Sequence, residues 1–65
     1  MNGQELKEAL MQESAVVFNG IKYSKVSGII YRKVGNGVAV SAELLDRNRN
    51  SVVIAASDKI RLAGE

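Results

Sequence analysis

The chain has no cysteine and no histidine. The first absence excludes disulfides and thiolate zinc sites, and the second removes the commonest general base and metal ligand. Small secreted domains usually rely on a cysteine framework, so a cytoplasmic setting is expected. Aromatic residues are scarce: there is no Trp, and only Phe18 and two Tyr are present. A groove for Pro-rich ligands needs a cluster of aromatic rings, so none is expected. The N-terminus opens polar and acidic, without a basic-then-apolar leader pattern, and the apolar runs are too short to cross a bilayer. No membrane partner is expected. At 65 residues the chain reads as a single domain, 1–65. A chain of this size buries roughly 60% of its unfolded surface and is held by only a few kcal/mol.

Catalytic patterns are missing as well. Ser14, Ser24, Ser27, Ser41, Ser51 and Ser57 have no His to activate them, and no Lys signature replaces it. Glu43 and Asp46 are an odd number of residues apart, so on one regular strand they point to opposite faces and make a poor acid/base pair. Asp46-x-Asn48-x-Asn50 matches the opening of a calcium loop, but Ser51 and Ser57 stand where Gly and a bidentate Glu are required. It reads as a polar turn. Gly35-Asn36-Gly37 leads into a strand rather than a helix, so it is a hairpin turn and not a phosphate loop. No catalytic residue, cofactor or metal is assigned, and the chain is not expected to be an enzyme.

What the sequence does carry is a ribbon over residues 29–45. Two runs rich in β-branched and aromatic residues flank Gly35-Asn36-Gly37, one of the stronger short-range hairpin signals. Its register has two readings. A two-residue Asn36-Gly37 turn pairs Tyr31 with Ala42 and groups Ile29, Tyr31, Val38, Val40, Ala42 and Leu44 on one face. A three-residue Gly35-Asn36-Gly37 loop groups Val26, Ile30 and Val34 with Val38, Val40, Ala42 and Leu44. It leaves Tyr31, Lys33, Ser41 and Glu43 outside. A slip of one residue exchanges the faces, so the two exclude each other. The second gathers more aliphatic bulk and is preferred.

Around this ribbon, Asn2-Gly3-Gln4-Glu5 fits a capping pattern for a helix over about residues 3–12, with Leu6, Ala9, Leu10 and Glu13 on one face. Ala15–Phe18 reads as a short strand, and Asn19-Gly20 as a tight turn into Ile21-Lys22-Tyr23. The segment 21–34 is long for one strand, and Gly28 is the natural place for a bend or bulge. Ser51–Ala56 is the next strand, Ser57 caps a single helical turn through Ile60, and Arg61–Ala63 closes the order. The fold class expected is mainly β (α+β by content). It has an N-terminal helix plus a small antiparallel barrel or strongly curved meander sheet over 15–63, with strands pairing as sequential neighbours.

This order resembles the SH3-like small barrel, in which a short 3₁₀ turn precedes the final strand. The fold hosts many functions, so the likeness implies none. A second resemblance rests on Asn19-Gly20-Ile21-Lys22-Tyr23, Gly28-Ile29-Ile30-Tyr31-Arg32-Lys33 and Ser41-Ala42-Glu43-Leu44-Leu45-Asp46. These phrases are similar to small uncharacterised proteins of Gram-positive bacterial mobile elements, a group that implies no activity.

Charge is segregated. Residues 1–13 carry Glu5, Glu8 and Glu13 against Lys7, a balance of −2, whereas residues 14–65 carry eight Lys/Arg against four acids, a balance of +4. Lys22, Tyr23, Lys25, Tyr31, Arg32, Lys33, Arg47 and Arg49 form the one constellation with functional colour. Basic groups neutralise phosphates while exposed tyrosines stack on bases. The plainer reading is a wet face in which Lys protects sheet edges and the Tyr rings are half-buried in the core. The function expected is therefore a non-catalytic interaction module that binds a protein partner as adaptor or regulator. Weak nucleic-acid binding through basic loops and exposed Tyr is the alternative. With so small a core, a homodimer through edge strands or through the helix is also expected to be within reach.

Overall fold

A computed structural model describes residues 1–48 and 51–64. It contains α1 (Gly3–Gln12), β1 (Val16–Phe18), β2 (Ile21–Tyr23), β3 (Lys25–Val34), β4 (Gly37–Leu45), β5 (Val52–Ala56), a 3₁₀ turn (Ser57–Lys59) and β6 (Ile60–Leu62). The helix starts on a capping box. Asn2 Oδ1 accepts from the Glu5 N–H at 2.8 Å, and Glu5 Oε1 accepts from the Asn2 N–H at 2.9 Å, so two orphan donors are satisfied reciprocally. It ends with Glu13 in the left-handed region at φ 55. There the Ser14 N–H donates to the Ala9 carbonyl and the Glu13 N–H to that of Leu10, the paired bonds of a Schellman ending. Leu6 and Ala9 are buried and Leu10 packs against the core, so the helix docks. Glu13, grouped with these residues by spacing, is instead an exposed cap. The α-amino group of Met1 donates to the carbonyls of Ser57 (2.7 Å) and Ile60 (2.9 Å), which ties the start of the helix to the 3₁₀ turn.

The central hairpin takes neither register read from the sequence. Val34 pairs with Gly37, Lys33 with Val38, Tyr31 with Val40 and Ile29 with Ala42, so the two-residue loop is Gly35-Asn36. Gly35 has φ 56, whereas Asn36 is not in the positive region. That is the φ signature of a II′ turn, which wants Gly at its first central position. Beyond Gly28 the register shifts, and Val26 pairs with Leu44. Ser27 is thus the extra residue of a β-bulge, its Oγ donating to Glu43 Oε1 at 2.8 Å and to the Glu43 carbonyl at 3.2 Å. The bulge reconciles groupings that a regular strand makes exclusive. Val26 from one and Ile29 from the other both face Leu44 and Ala42. Ile30 and Val34, which the preferred register placed with Val26, go to the opposite face. Tyr31 and Lys33 come to the helix side rather than staying outside with Ser41 and Glu43.

The segment 21–34 is two strands rather than one. The chain passes between them at Ser24, whose N–H donates to the Leu45 carbonyl at 2.9 Å and whose Oγ reaches the carbonyls of Leu45 and Asp46 at 3.2 Å each. The bend therefore lies at Ser24, and the bulge lies at Ser27-Gly28, where the expectation at Gly28 holds. The result is a mainly β fold with one helix and two three-stranded antiparallel sheets, ordered β2-β1-β6 and β3-β4-β5. Strand pairing is not wholly sequential, since β6 pairs with β1 (Val16 with Leu62, Phe18 with Ile60). Among the described residues no ladder joins the two sheets, so strand pairing does not close a barrel. One core serves both: Val16, Tyr23 and Ile60 from the first sheet, Val26, Ala42, Leu44 and Ala55 from the second, and Leu6 and Ala9 from the helix. The largest fully buried side chains are Leu6, Leu44, Val16 and Val26, each contributing about 1.5–3 kcal/mol by burial.

Candidate functional site

The basic and aromatic constellation separates once it is placed. Tyr23 is 6% exposed and belongs to the core, so its ring is unavailable for stacking. The register of β2 sends it inward opposite Val16 and turns Lys22, opposite Val17, to the surface. Lys25 is partly buried and its Nζ sits 3.2 Å from Glu13 Oε1, so its charge is already answered by the helix cap. Tyr31 is 62% exposed and lies two residues from Lys33 on the helix-side face of β3. Its hydroxyl lies about 3.8 Å from where a side chain on Gly3 would begin. Arg32 is exposed on the opposite face, as strand alternation requires. Arg47 is exposed in the turn after β4, and Arg49 lies outside the described residues, as does Asn50 of the calcium-like spacing. Tyr31 and Lys33 therefore share one face, and the other described members of the set point elsewhere.

One cleft, about 180 Å³, opens between α1 and β6, lined by Met1, Glu5, Glu8, Gln12, Ser14 and Leu62. Its side chains are two carboxylates, an amide, a hydroxyl and aliphatic groups, and the Glu5 carboxylate is engaged in the capping box. Asp46, the first residue of the calcium-like spacing, accepts a 2.9 Å hydrogen bond from Ser51 Oγ. That bond closes the turn between β4 and β5. Among the described residues no group of three or more metal-ligating side chains forms.

The surface that sequence reasoning missed is the outward face of the β3-β4-β5 sheet. The face turned to the core carries Val26, Ile29, Ala42, Leu44 and Ala55, so alternation sends Ile30, Val34, Leu45, Val52, Ile54 and Ala56 outward. Val34 is 57%, Val52 48% and Ile54 53% exposed, while Ile30 and Leu45 are half-buried. The ladders set Leu45 beside Val52 and Glu43 beside Ile54, with Ile30 beside Ser41 and Val34 beside Gly37 at the hairpin tip. The apolar groups thus gather at Leu45, Val52 and Ile54 around Glu43, and Val34 stands apart at the far end. Among the described residues, the charges on this face of β3 and β4 are Arg32, Glu43 and, opposite Leu45, Lys25. The signal was present in Val52-Val53-Ile54-Ala55-Ala56, a strand that never alternates with polar residues. A strand apolar on both faces is covered on both faces or leaves one side apolar to solvent.

No family model, curated protein or solved structure matches the chain.

Proposed function

We propose that the chain is a non-catalytic interaction module that seats a protein partner on the outward face of the β3-β4-β5 sheet. The observation that carries this reading is the exposed pair Val52 and Ile54 on β5, with Leu45 beside Val52 and Ile30 on the same face across Ser41. Monomeric soluble proteins rarely leave such a patch uncovered, and those that do generally use it for binding. The partner that fits is a protein surface that is itself apolar, with a polar rim to meet Arg32 and Glu43. We also read the architecture as a small barrel of the SH3-like kind. The supporting features are the bend at Ser24 that feeds one run of chain into two sheets and the 3₁₀ turn before β6. The resemblance to mobile-element proteins and the cytoplasmic setting belong to the same reading. The absence of His and Cys supports the non-catalytic part of it.

A second reading, weak binding of single-stranded nucleic acid, is favoured by one observation, the exposed Tyr31 ring beside Lys33. One experiment separates the two. The tagged chain is recovered from its source cells as wild type, as Ile30→Glu and as Tyr31→Ala. The protein-binding reading expects a defined protein that is retained by Tyr31→Ala and lost by Ile30→Glu. Recovery of nucleic acid that is lost from Tyr31→Ala, with no protein sensitive to Ile30→Glu, reverses the order.

A further inference from the structure

The two sheets have four edge strands, and they are not alike. β2 carries Lys22 at its centre and β6 carries Arg61 at its centre. β3 carries Lys25, Arg32 and Lys33, is bulged at Ser27, and has α1 packed against it. Cationic side chains and bulges are the usual devices that stop a sheet edge from pairing with another chain. β5, Val52–Ala56, has no charge, no proline and no bulge, and pairs with β4 over five consecutive residues.

We propose that β5 pairs antiparallel with β5 of a second copy, extending two three-stranded sheets into one of six strands. The direction of its amides supports this. The Asp46 N–H donates to the Ser51 carbonyl, which fixes the alternation along the β4–β5 ladder. Val53 and Ala55 then turn their backbone groups toward β4, while Val52, Ile54 and Ala56 turn theirs to the open edge. A two-fold pairing centred on Ile54 sets Ile54 against its counterpart, Val52 against Ala56 and Val53 against Ala55. Away from the central pair each bulky residue meets a small one, and no like charges oppose. About four backbone hydrogen bonds follow: two exchanged by the Ile54 pair, and one from each Ala56 N–H to the opposite Val52 carbonyl. The interface is isologous, so it closes at two copies and does not propagate. It also joins two outward apolar faces into one surface. This inference does not rest on the partner-binding reading, because its test reads mass and cross-linking rather than capture.

The chain has no cysteine, so a single introduced thiol reports one position. Opposed residues of a hydrogen-bonded antiparallel pair have Cα atoms about 5.5 Å apart, within the range a disulfide spans. Ile54→Cys is expected to link into a covalent dimer under mild oxidation, at least tenfold faster than Val34→Cys on the same face. Sedimentation of the wild type from about 5 µM to 500 µM is expected to rise from 7.0 kDa toward twice that mass. Ile54→Lys is expected to keep the same circular dichroism and stay monomeric. A constant monomer mass for the wild type overturns the proposal. So does a dimer in which the Ile54→Cys variant links no faster than the Val34→Cys variant, and this arm stands even if Ile54→Lys does not fold.

Discussion

Val26 and Ile29 put their side chains on the same face of β3, although they are three residues apart and a regular strand would oppose them. Ser27 absorbs the mismatch. Deleting Ser27 is therefore expected to heal the ladder and keep every core side chain facing in. The cost is about 1 kcal/mol, from the lost Oγ contacts to Glu43 and a straighter strand. Deleting Ile30 instead turns Gly28 inward and Ile29 outward, and is expected to cost about 3 kcal/mol or more. Urea unfolding of the two deletions checks the contrast. Equal losses would remove the bulge from the account.

The turn makes a second contrast. Gly35 has φ 56, whereas Gly37 is not in the positive region and a side chain there meets only the Val34 carbonyl at 3.8 Å. Gly35→Ala is expected to lose about 1–2 kcal/mol. Gly37→Ala is expected to be neutral or to gain about 0.5 kcal/mol by restricting the unfolded chain. Thermal melts that rank them the other way would restore the Asn36-Gly37 turn.

At the helix, Asn2→Ala removes one arm of the capping box and is expected to cost about 1 kcal/mol. Glu13→Gly releases a left-handed non-glycine residue while losing one exposed ion pair with Lys25. Such pairs contribute about 0.5 kcal/mol, less than the strain, so a net gain of about 0.5 kcal/mol is expected. Raised salt should enlarge that gain only slightly. Denaturation of both variants in low and high salt tests this.

The two tyrosines should part company. Tyr23→Ala empties a core position and is expected to cost about 3 kcal/mol or more, a large share of what a chain this small has. Tyr31→Ala is expected to change stability by about 0.5 kcal/mol or less. If Tyr31 and Lys33 touch a single strand, losing the lysine lowers the log–log salt slope by about 0.7. A slope unchanged in Lys33→Ala leaves the pair as solvated surface.

Much of the fold was legible because its signals are local. The capping box and the span 3–12 of the helix, the Asn19-Gly20 turn and the presence of a 3₁₀ turn each depend on a few neighbouring residues, although Ser57 is the first residue of that turn and not its cap. The hairpin register was not legible, since three adjacent turn residues, Gly35-Asn36-Gly37, admit several loops, and Gly28 signals a bulge without fixing which residue is the extra one. The Gly35-Asn36 turn shifts the preferred register by one residue and so moves Ile30, Tyr31, Lys33 and Val34 to the other face. There the grouping of Tyr31 with Ile29, Val40 and Ala42 matches the alternative reading, although its pairs do not. Which of the two tyrosines belongs to the core was not legible for a related reason: Tyr23 does and Tyr31 does not. The inward turn of Tyr23 is set by pairing with Val16 and by the bend at Ser24, and both are contacts made across the chain. The outward apolar face followed from these same placements and became visible only with them.

β1 lies between β2 and β6, and that position sets a timetable. Its pairing with β2 needs only the Asn19-Gly20 turn and can form within microseconds of the segment being free. Its other side waits for Ile60–Leu62, more than forty residues further on, and closing so long a loop costs entropy before any contact is gained. As the chain leaves a ribosome, Val16-Val17-Phe18 thus stands as a half-made sheet until nearly all of the later residues have followed. In that interval a passing strand from elsewhere competes for the place that β6 will take.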